Sequence, residues 1–173
     1  MEKSRIKKIA IIGAESTGKS ALCEQLAKHF NTTWVPEYAR EYFNDSDIYN
    51  YTLDDLKRIA IRQLEMEAAA LASANRFLFC DTAMITIKIW AKLEFGKVPA
   101  DLETIIQQGQ YDHYLITDNS IPWEADAQRL NKFSRERIFQ LNIHEVESRS
   151  EPYTVVTGLG EHRLKFAIDQ LMI

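Results

Sequence analysis

Residues 13–20, GAESTGKS, constrain the fold of this chain more than any other stretch. They match the pattern G-x-x-x-x-G-K-[ST], directly after the apolar run at residues 9–12 and directly before a helix-like pattern. In this context the glycines let successive backbone N–H groups turn inward around phosphate oxygens, and the helix start adds unpaired N–H groups. The pattern predicts a Walker A phosphate loop (P-loop) that holds a nucleoside triphosphate.

Two side chains of the phosphate loop have specific predicted roles. Lys19 supplies positive charge for the β- and γ-phosphates, and the Ser20 hydroxyl is placed to ligate Mg²⁺. The predicted ATP-binding residues are Gly13, Ala14, Glu15, Ser16, Thr17, Gly18, Lys19, Ser20 and Ala21.

A second acidic metal ligand is expected at the end of a neighbouring strand. The run FLFCD at residues 77–81 is apolar and ends in Asp81. We expect Asp81 to hold Mg²⁺ together with Ser20 and to orient a magnesium-bound water or the attacking hydroxyl of the substrate. The alternative is that Asp81 is an ordinary cap of the helix that follows it. The nearby phosphate loop favours the metal role.

Composition narrows the class of protein. A chain of 173 residues with 46% hydrophobic residues suits one domain, which we expect to span residues 1–173. The net charge of -4 is spread along the chain, so we expect no nucleic-acid partner, and no apolar run is long enough for a membrane span. Cys23 and Cys80 have no paired spacing and are expected to be small buried residues in a reducing cytoplasm.

Short apolar runs alternate with longer helical patterns along the chain. This alternation predicts an α/β fold of the P-loop NTPase type, a five-stranded, mostly parallel sheet with helices on both faces and a lid segment. The predicted strands are residues 8–12, 33–36, 77–80, 114–117 and 153–156, and the predicted helices are residues 19–30, 82–93, 102–108, 135–147 and 161–171.

A longer helix is predicted after residues 52–55, TLDD, which have the pattern of a capping box. Apolar residues then recur every three or four positions, which predicts one buried stripe on this helix. The stripe consists of Leu53, Leu56, Ala60, Leu64, Ala68 and Leu71.

Charged and aromatic side chains follow the second predicted strand, at the end of the sheet where ligands usually bind. In PEYAREY, residues 36–42, Glu37 could take a proton from an acceptor hydroxyl, and Arg40 could hold that hydroxyl or the transferred phosphoryl group. The alternative is a plain solvated helix start. Tyr38 and Trp90 offer aromatic faces for a flat acceptor ring, although aromatic residues at helical spacing more often belong to the core.

The polar segment after the fourth predicted strand, DNSIPWEADAQR at residues 118–129, has the character of a lid. Its closure would exclude water and bring Arg129 onto the phosphates, with Trp123 against the substrate. The glycine turn after the last strand places Gly158 near the adenine, with a simple strand-to-helix connection as the alternative.

Four segments in this order, GAESTGKS, VPEYAREY, FLFCDT with IKIWAKLEFGK, and ITDNSIPWEADAQR, resemble the ribosylnicotinamide kinase domain of NadR-type proteins over nearly the whole chain. The resemblance implies ATP and Mg²⁺ as co-substrates and phosphorylation of the ribose 5'-hydroxyl of nicotinamide riboside. The family usually has an acidic or amide residue where this chain has Ala83, and glycine where it has Ala127. No H-x-G-H motif of an adenylyltransferase is present, so the resemblance concerns the kinase half alone.

Three hypotheses follow for a chain that binds ATP. The first is in-line transfer of the γ-phosphoryl group to a nucleoside-like alcohol, in which Lys19, Mg²⁺ and Arg129 stabilise charge and either Asp81 or Glu37 takes the proton. The second is a kinase for another nucleoside-like acceptor, and the third is an ATP-binding regulatory ATPase without transfer. A regulatory GTPase is disfavoured because the Asn131-Lys132 pair lacks the aspartate of the guanine-binding N-K-x-D motif.

Overall fold

The computed structural model describes residues 5–130 and 133–173, so Asn131 and Lys132 lie outside the described residues. The strands form one five-stranded sheet in the order β2-β3-β1-β4-β5. Each pair of neighbouring strands is parallel, which confirms the predicted sheet. The strands are β1 Lys7–Gly13, β2 Trp34–Val35, β3 Phe77–Asp81, β4 His113–Thr117 and β5 Tyr153–Val156.

Seven helices connect and flank these strands in the described ranges. All but α2 agree with predicted helices to within two residues at each end, and α2 is too short to carry a recognisable apolar period. None of the helices in the described ranges is both long and apolar enough to cross a membrane. The helices are α1 Lys19–His29, α2 Tyr38–Tyr42, α3 Leu53–Ala70, α4 Met84–Phe95, α5 Ala100–Ile106, α6 Arg135–Ser148 and α7 Gly160–Leu171.

The central strand β1 is buried on both of its faces. Ile9 and Ile11 pack with residues of α1 and α7 on one face. Ala10 and Ile12 pack with residues of α4 and α6 on the other face. Because parallel sheets are covered on both sides, their strands are continuous apolar runs, which is why these strands could be predicted from sequence.

The apolar stripe predicted on α3 is correct in its first half and wrong in its second. Leu56 and Ala60 are fully buried, whereas Ala68 and Leu71 are exposed. The buried face continues instead through Gln63 and Glu67, and Glu67 is compensated by Lys8 Nζ at 2.6 Å. Polar side chains can be buried when their hydrogen bonds are made, and hydrophobic periodicity does not detect them.

Both cysteines, Cys23 and Cys80, are buried and free, as the sequence predicts. Cys23 lies on α1 and packs on one face of the sheet, whereas Cys80 lies in β3 and packs on the opposite face. The sheet therefore separates the two thiols.

All five strands end at the same edge of the sheet because they are parallel. This edge carries Gly13 at the end of β1, Asp81 at the end of β3 and Thr117 at the end of β4. Glu37 follows β2 two residues after its end. The fold therefore brings the predicted site residues of three separate segments to one edge.

The predicted capping box of α3 is present and generates a stability prediction. The Thr52 hydroxyl accepts a hydrogen bond from the Asp55 N–H at 3.3 Å, and Asp55 Oδ2 accepts one from the Thr52 N–H at 2.7 Å. Thr52→Ala removes the first bond and is expected to lower the free energy of unfolding by about 1 kcal/mol, measured by urea denaturation. Thr104→Ala, an exposed position inside α5, is the matched control, and an equal loss in both variants would contradict the capping role.

Candidate active site

The phosphate loop leaves β1 through a glycine that no other residue could replace without movement. Gly13 has φ 151°, and a Cβ built there would lie 2.1 Å from Thr117 Oγ1 and 2.9 Å from the Thr117 carbonyl oxygen. Gly18 has φ 76° and directly precedes α1, a left-handed conformation that L side chains rarely adopt. Both glycines of the motif are therefore required by the backbone.

The loop is fixed to the end of β4 by two buried hydroxyl groups. Thr17 Oγ1 and Thr117 Oγ1 share a hydrogen bond of 2.7 Å, and both residues are fully buried. The Thr17 hydroxyl also lies 2.8 Å from the Ala14 carbonyl oxygen across the turn. Thr117 is a site residue that the sequence analysis missed, because a threonine that ends a strand has no distinguishing pattern.

Lys19, the predicted cation of the phosphate loop, reaches back to the backbone at the start of the loop. Lys19 Nζ donates a hydrogen bond to the Ala14 carbonyl oxygen at 2.8 Å, which holds the ammonium group over the backbone turn. The chain between these two residues surrounds the position that a terminal phosphate takes in a P-loop.

Ser20 and Asp81 come together at the end of β3, as the sequence predicts for a metal site. The Ser20 hydroxyl donates to Asp81 Oδ2 at 2.5 Å, and Asp81 is 1% exposed. Asp81 Oδ1 has no hydrogen-bond partner among the described residues. A hydroxyl beside a buried carboxylate with a spare oxygen fits a hard cation such as Mg²⁺, which prefers oxygen ligands and keeps part of its water shell.

Glu37 lies between β2 and α2, as the N-cap residue of α2, and reaches the same site. Burial and the negative charge of Asp81 raise the pKa of Glu37 to about 7, while Lys19 and Arg40 oppose that rise. Glu37 Oε2 lies 3.7 Å from the Arg40 Nε. Burial also raises the pKa of Asp81, against the effects of Lys19 and the hydrogen bond from Ser20. Two carboxylates in one low-dielectric site thus compete for one proton.

The predicted lid is tied to the phosphate loop at its first half. The Glu124 N–H donates to Ser16 Oγ at 2.9 Å. The Arg135 guanidinium, at the start of α6, donates to the carbonyl oxygen of Ile121 at 2.7 and 2.8 Å and to that of Asn119 at 2.9 Å. This segment therefore lies over the loop in the structure.

The second half of the lid meets α2 through charged groups. Asp126 Oδ2 lies 3.0 Å from Arg40 Nη1 and 3.5 Å from Arg129 Nε. Arg129 Nη1 also donates to the Glu124 carbonyl oxygen at 2.6 Å. Asp126 thus links the two arginines that the sequence analysis assigned to the phosphates.

A cleft connects the phosphate loop with the space between α2, α4 and α6. Among the predicted site residues its walls include Gly13, Ala14, Glu15, Ser16, Lys19, Glu37, Arg40, Trp90 and Arg129. Further wall residues that the sequence analysis missed include Thr82, Thr86, Phe133 and Asn142. One opening thus contains both a phosphate-binding end and an aromatic end.

Three of these missed wall residues carry buried oxygens that have no partner among the described residues. They are Thr82 Oγ1, Thr86 Oγ1 and Asn142 Oδ1. Thr82 also has φ 76°, a genuine outlier for a β-branched residue, directly after Asp81. Strained backbone and unpartnered buried polar groups both concentrate at functional sites, so these oxygens are candidate ligand contacts.

Eight predicted site residues are not among the walls of this cleft. Five belong to the phosphate loop, the start of α1 and the metal pair, namely Thr17, Gly18, Ser20, Ala21 and Asp81, and three lie elsewhere. Tyr38 packs edge to face with Tyr42, with ring centroids 6.1 Å apart. Trp123 is 38% exposed on the lid. Gly158 has φ 87°, and a Cβ there would meet nothing within 4 Å. Their roles toward substrate or adenine stay predictions.

Arg163 is a buried cation that the sequence analysis did not single out. It lies on α7, is 4% exposed, and its Nη1 donates to the Thr17 carbonyl oxygen at 2.6 Å. A Cβ on Gly18 would lie 3.0 Å from the same nitrogen. The signal available in the sequence was an arginine on the face of α7 that also carries apolar residues. Arginine is rarely buried without a partner, so such a position indicates a specific contact.

Sequence comparison relates this chain to proteins with a phosphate loop. The profile of the family described as AAA domain matches residues 8–163. The trifunctional NAD biosynthesis/regulator proteins NadR of Salmonella typhimurium (strain LT2) and Escherichia coli (strain K12) are each 32% identical to this chain over 129 residues. The matched region is 72% of this chain and 31% of NadR, so the chain spans less than a third of these relatives.

Solved structures share the fold. NadR in complex with NAD and AMP-PNP superposes with a TM-score of 0.77 at 24% identity, over 96% of this chain and 48% of that one. NadR in complex with NR gives 0.76 at 24% identity, over 96% of this chain and 50% of that one. Thymidylate kinase from Ehrlichia chaffeensis gives 0.68 at 12% identity, over 96% and 98% of the two chains. The chain therefore belongs to the AAA domain family, as a domain with the P-loop kinase-like fold that is homologous to part of NadR.

Proposed function

We propose that the chain is an ATP-dependent kinase that phosphorylates the 5'-hydroxyl of nicotinamide riboside to give nicotinamide mononucleotide. The observation that carries the proposal is the single cleft that joins the phosphate loop to Glu37 and Arg40. Its relationship to NadR, one structure of which contains NR, supports a small nucleoside-like acceptor.

The phosphate end of the cleft suits ATP. Lys19, the backbone amides of the loop and the first turn of α1 would bind the β- and γ-phosphates. The AMP-PNP complex of NadR supports ATP as the donor. Mg²⁺, held by Ser20 and Asp81, would supply positive charge against the triphosphate when bound.

Glu37 is the better candidate of the two carboxylates for the base. It lines the cleft, whereas Asp81 is 1% exposed and already accepts a hydrogen bond from Ser20. A general base works best when its pKa lies near the operating pH, and the pKa of Glu37 is raised to about 7. We therefore assign proton removal to Glu37 and metal binding to Asp81.

The proposed reaction is an in-line displacement at the γ-phosphorus. The acceptor oxygen forms a bond to the γ-phosphorus while the bond from that phosphorus to the β,γ-bridging oxygen breaks, and ADP leaves. The hydroxyl proton passes to Glu37. Lys19 and Arg129 balance the charge that moves toward the bridging oxygen, so the protein mainly positions and neutralises.

The far end of the cleft suits a flat cationic ring. Trp90, Phe133 and Tyr51 supply aromatic faces, and Glu94 supplies negative charge. A pyridinium ring gains from both, through cation-π and Coulomb attraction. The unpartnered Asn142 Oδ1 could accept a hydrogen bond from a carboxamide N–H. An uncharged nucleoside base would lack the charge contribution, and this difference is measurable.

The acceptor is tested by measuring ATP consumption and product mass with nicotinamide riboside, common nucleosides and water alone. We expect transfer to nicotinamide riboside at the highest kcat/KM, and Lys19→Ala should lower it at least about 100-fold while the protein stays folded. Lys165→Ala, an exposed lysine paired with Asp169, is the control and should be unchanged. A higher kcat/KM with another nucleoside would identify that nucleoside as the acceptor instead. ATP consumption with water alone would identify the protein as an ATPase.

The roles of the two carboxylates are separable by isosteric substitution. Glu37→Gln should lower kcat about 100-fold with little change in the KM for ATP, because proton removal is lost and the phosphate site is intact. Asp81→Asn should instead raise the Mg²⁺ concentration needed for half-maximal rate. Steady-state kinetics over a Mg²⁺ series measures both, and the reverse pattern would exchange the two assignments.

Glu37 should also make stability depend on pH. Its pKa rises from 4.5 to about 7 on folding, so the folded state holds a proton that the unfolded state has released. The contribution of this group to the free energy of unfolding is therefore largest below pH 4.5. It decreases as the pH rises from 4.5 through 7. Glu37→Gln should be more stable than the wild type by about 2 kcal/mol at pH 8 and by less at pH 5, measured by urea denaturation. The control is Glu24→Gln, an exposed change on α1, and a difference for Glu37→Gln that is the same at both pH values would refute the proposed burial of this charge.

A further inference from the structure

One glutamine interrupts the apolar face with which α3 packs into the protein. Leu56, Ile59 and Ala60 are 2% exposed or less, and Gln63, on the same face one turn later, is 3% exposed. Burial of an amide is unfavourable unless both of its ends form hydrogen bonds. The structure therefore raises the question of what Gln63 binds.

Both ends of the Gln63 amide bind the backbone on either side of Glu37. Gln63 Oε1 accepts the Tyr38 N–H at 2.8 Å, and Gln63 Nε2 donates to the Pro36 carbonyl oxygen at 3.2 Å. The amide orientation is unambiguous, because the Tyr38 N–H can only donate and the Pro36 oxygen can only accept. One side chain thus holds both peptide groups that flank Glu37.

The backbone at this point has little other support. β2 is a two-residue strand at the edge of the sheet, and it ends directly before Pro36, which has no N–H to contribute. Neither the Pro36 oxygen nor the Tyr38 N–H has a backbone partner in the described ranges. The hydrogen bonds from α3 therefore fix the direction in which the chain leaves the sheet.

The arrangement also affects the carboxylate itself. Glu37 is the N-cap residue of α2, and its side chain makes no capping hydrogen bond. A helix start leaves its first N–H groups without partners, and the Tyr38 N–H is the first of these in α2. Gln63 satisfies that group, and the Glu37 carboxylate, which caps no N–H of α2, lies beside Arg40 and lines the cleft.

We propose that Gln63 is a positioning residue that holds Glu37 in its catalytic orientation through the Pro36 and Tyr38 peptide groups. This inference rests on the proposed role of Glu37 as the base, and adds to it a residue that is not among the walls of the cleft.

Substitutions at this position separate the two hydrogen bonds. Leucine has a similar size and can make neither bond. Glutamate can accept from Tyr38 but cannot donate to Pro36, and it would bring a second negative charge toward Glu37. Glu67→Gln is the control, because Glu67 is buried one turn further along the same helix and binds Lys8 and Tyr111 rather than the active-site backbone.

A double-mutant cycle tests the route by which Gln63 acts. Gln63→Leu should lower kcat about 10-fold with the KM for ATP unchanged. Gln63→Glu should also lower kcat, and it should shift the acid limb of the pH-rate profile to higher pH. In a Glu37→Gln background, Gln63→Leu should change kcat less than about 2-fold. Glu67→Gln should leave kcat and the pH-rate profile unchanged. An equal loss of kcat in both backgrounds, or a parallel rise in the KM for ATP, would overturn the inference.

A second measurement does not depend on activity. In a crystal structure of Gln63→Leu, the Glu37 carboxylate should lie well beyond the 3.7 Å that separates it from Arg40 Nε in the wild type. An unmoved carboxylate would overturn the inference even if no acceptor were ever found. A moved carboxylate in a protein that transfers to no acceptor would keep the positioning role and reject the kinase proposal.

Discussion

The close approach of β1 and β4 at their carboxyl ends determines the rest of the site. Gly13 lies against Thr117 with no room for a side chain, and the hydroxyls of Thr17 and Thr117 bind each other. This contact sets the path of the phosphate loop, and the loop in turn directs Ser20 toward Asp81. The position of this polar site is thus fixed by the packing of two strand ends. Hydrogen bonds within an unsupported loop would not fix it.

The cations around this loop are already engaged by protein oxygens. Lys19 binds the Ala14 carbonyl oxygen, Arg40 binds Asp126, and Arg129 binds both Asp126 and the Glu124 carbonyl oxygen. A phosphate must exchange with these partners, so its net contribution is the difference between two sets of charge-assisted hydrogen bonds. Such an exchange favours reversible binding of phosphate groups.

The sequence predicts this fold well wherever burial is apolar, since each buried parallel strand is a short hydrophobic run. It predicts the phosphate loop and Asp81 because their chemistry requires fixed residue types at fixed spacing. It misses Gln63, Asn142 and Arg163, whose polar groups are buried at positions that periodicity assigns to apolar residues or to solvent. The substrate contact predicted for Tyr38 stays a prediction; its ring packs on Tyr42, and residue type alone does not determine the direction of a side chain.

The hydrogen bond from Arg163 to the Thr17 carbonyl oxygen joins two residues that are 146 positions apart in the chain. During synthesis on the ribosome, the segment that contains Thr17 emerges long before α7 does. At roughly 5 to 20 residues per second, the interval is roughly 7 to 30 seconds. For that time the nascent chain carries a phosphate loop without the guanidinium that binds its Thr17 carbonyl oxygen.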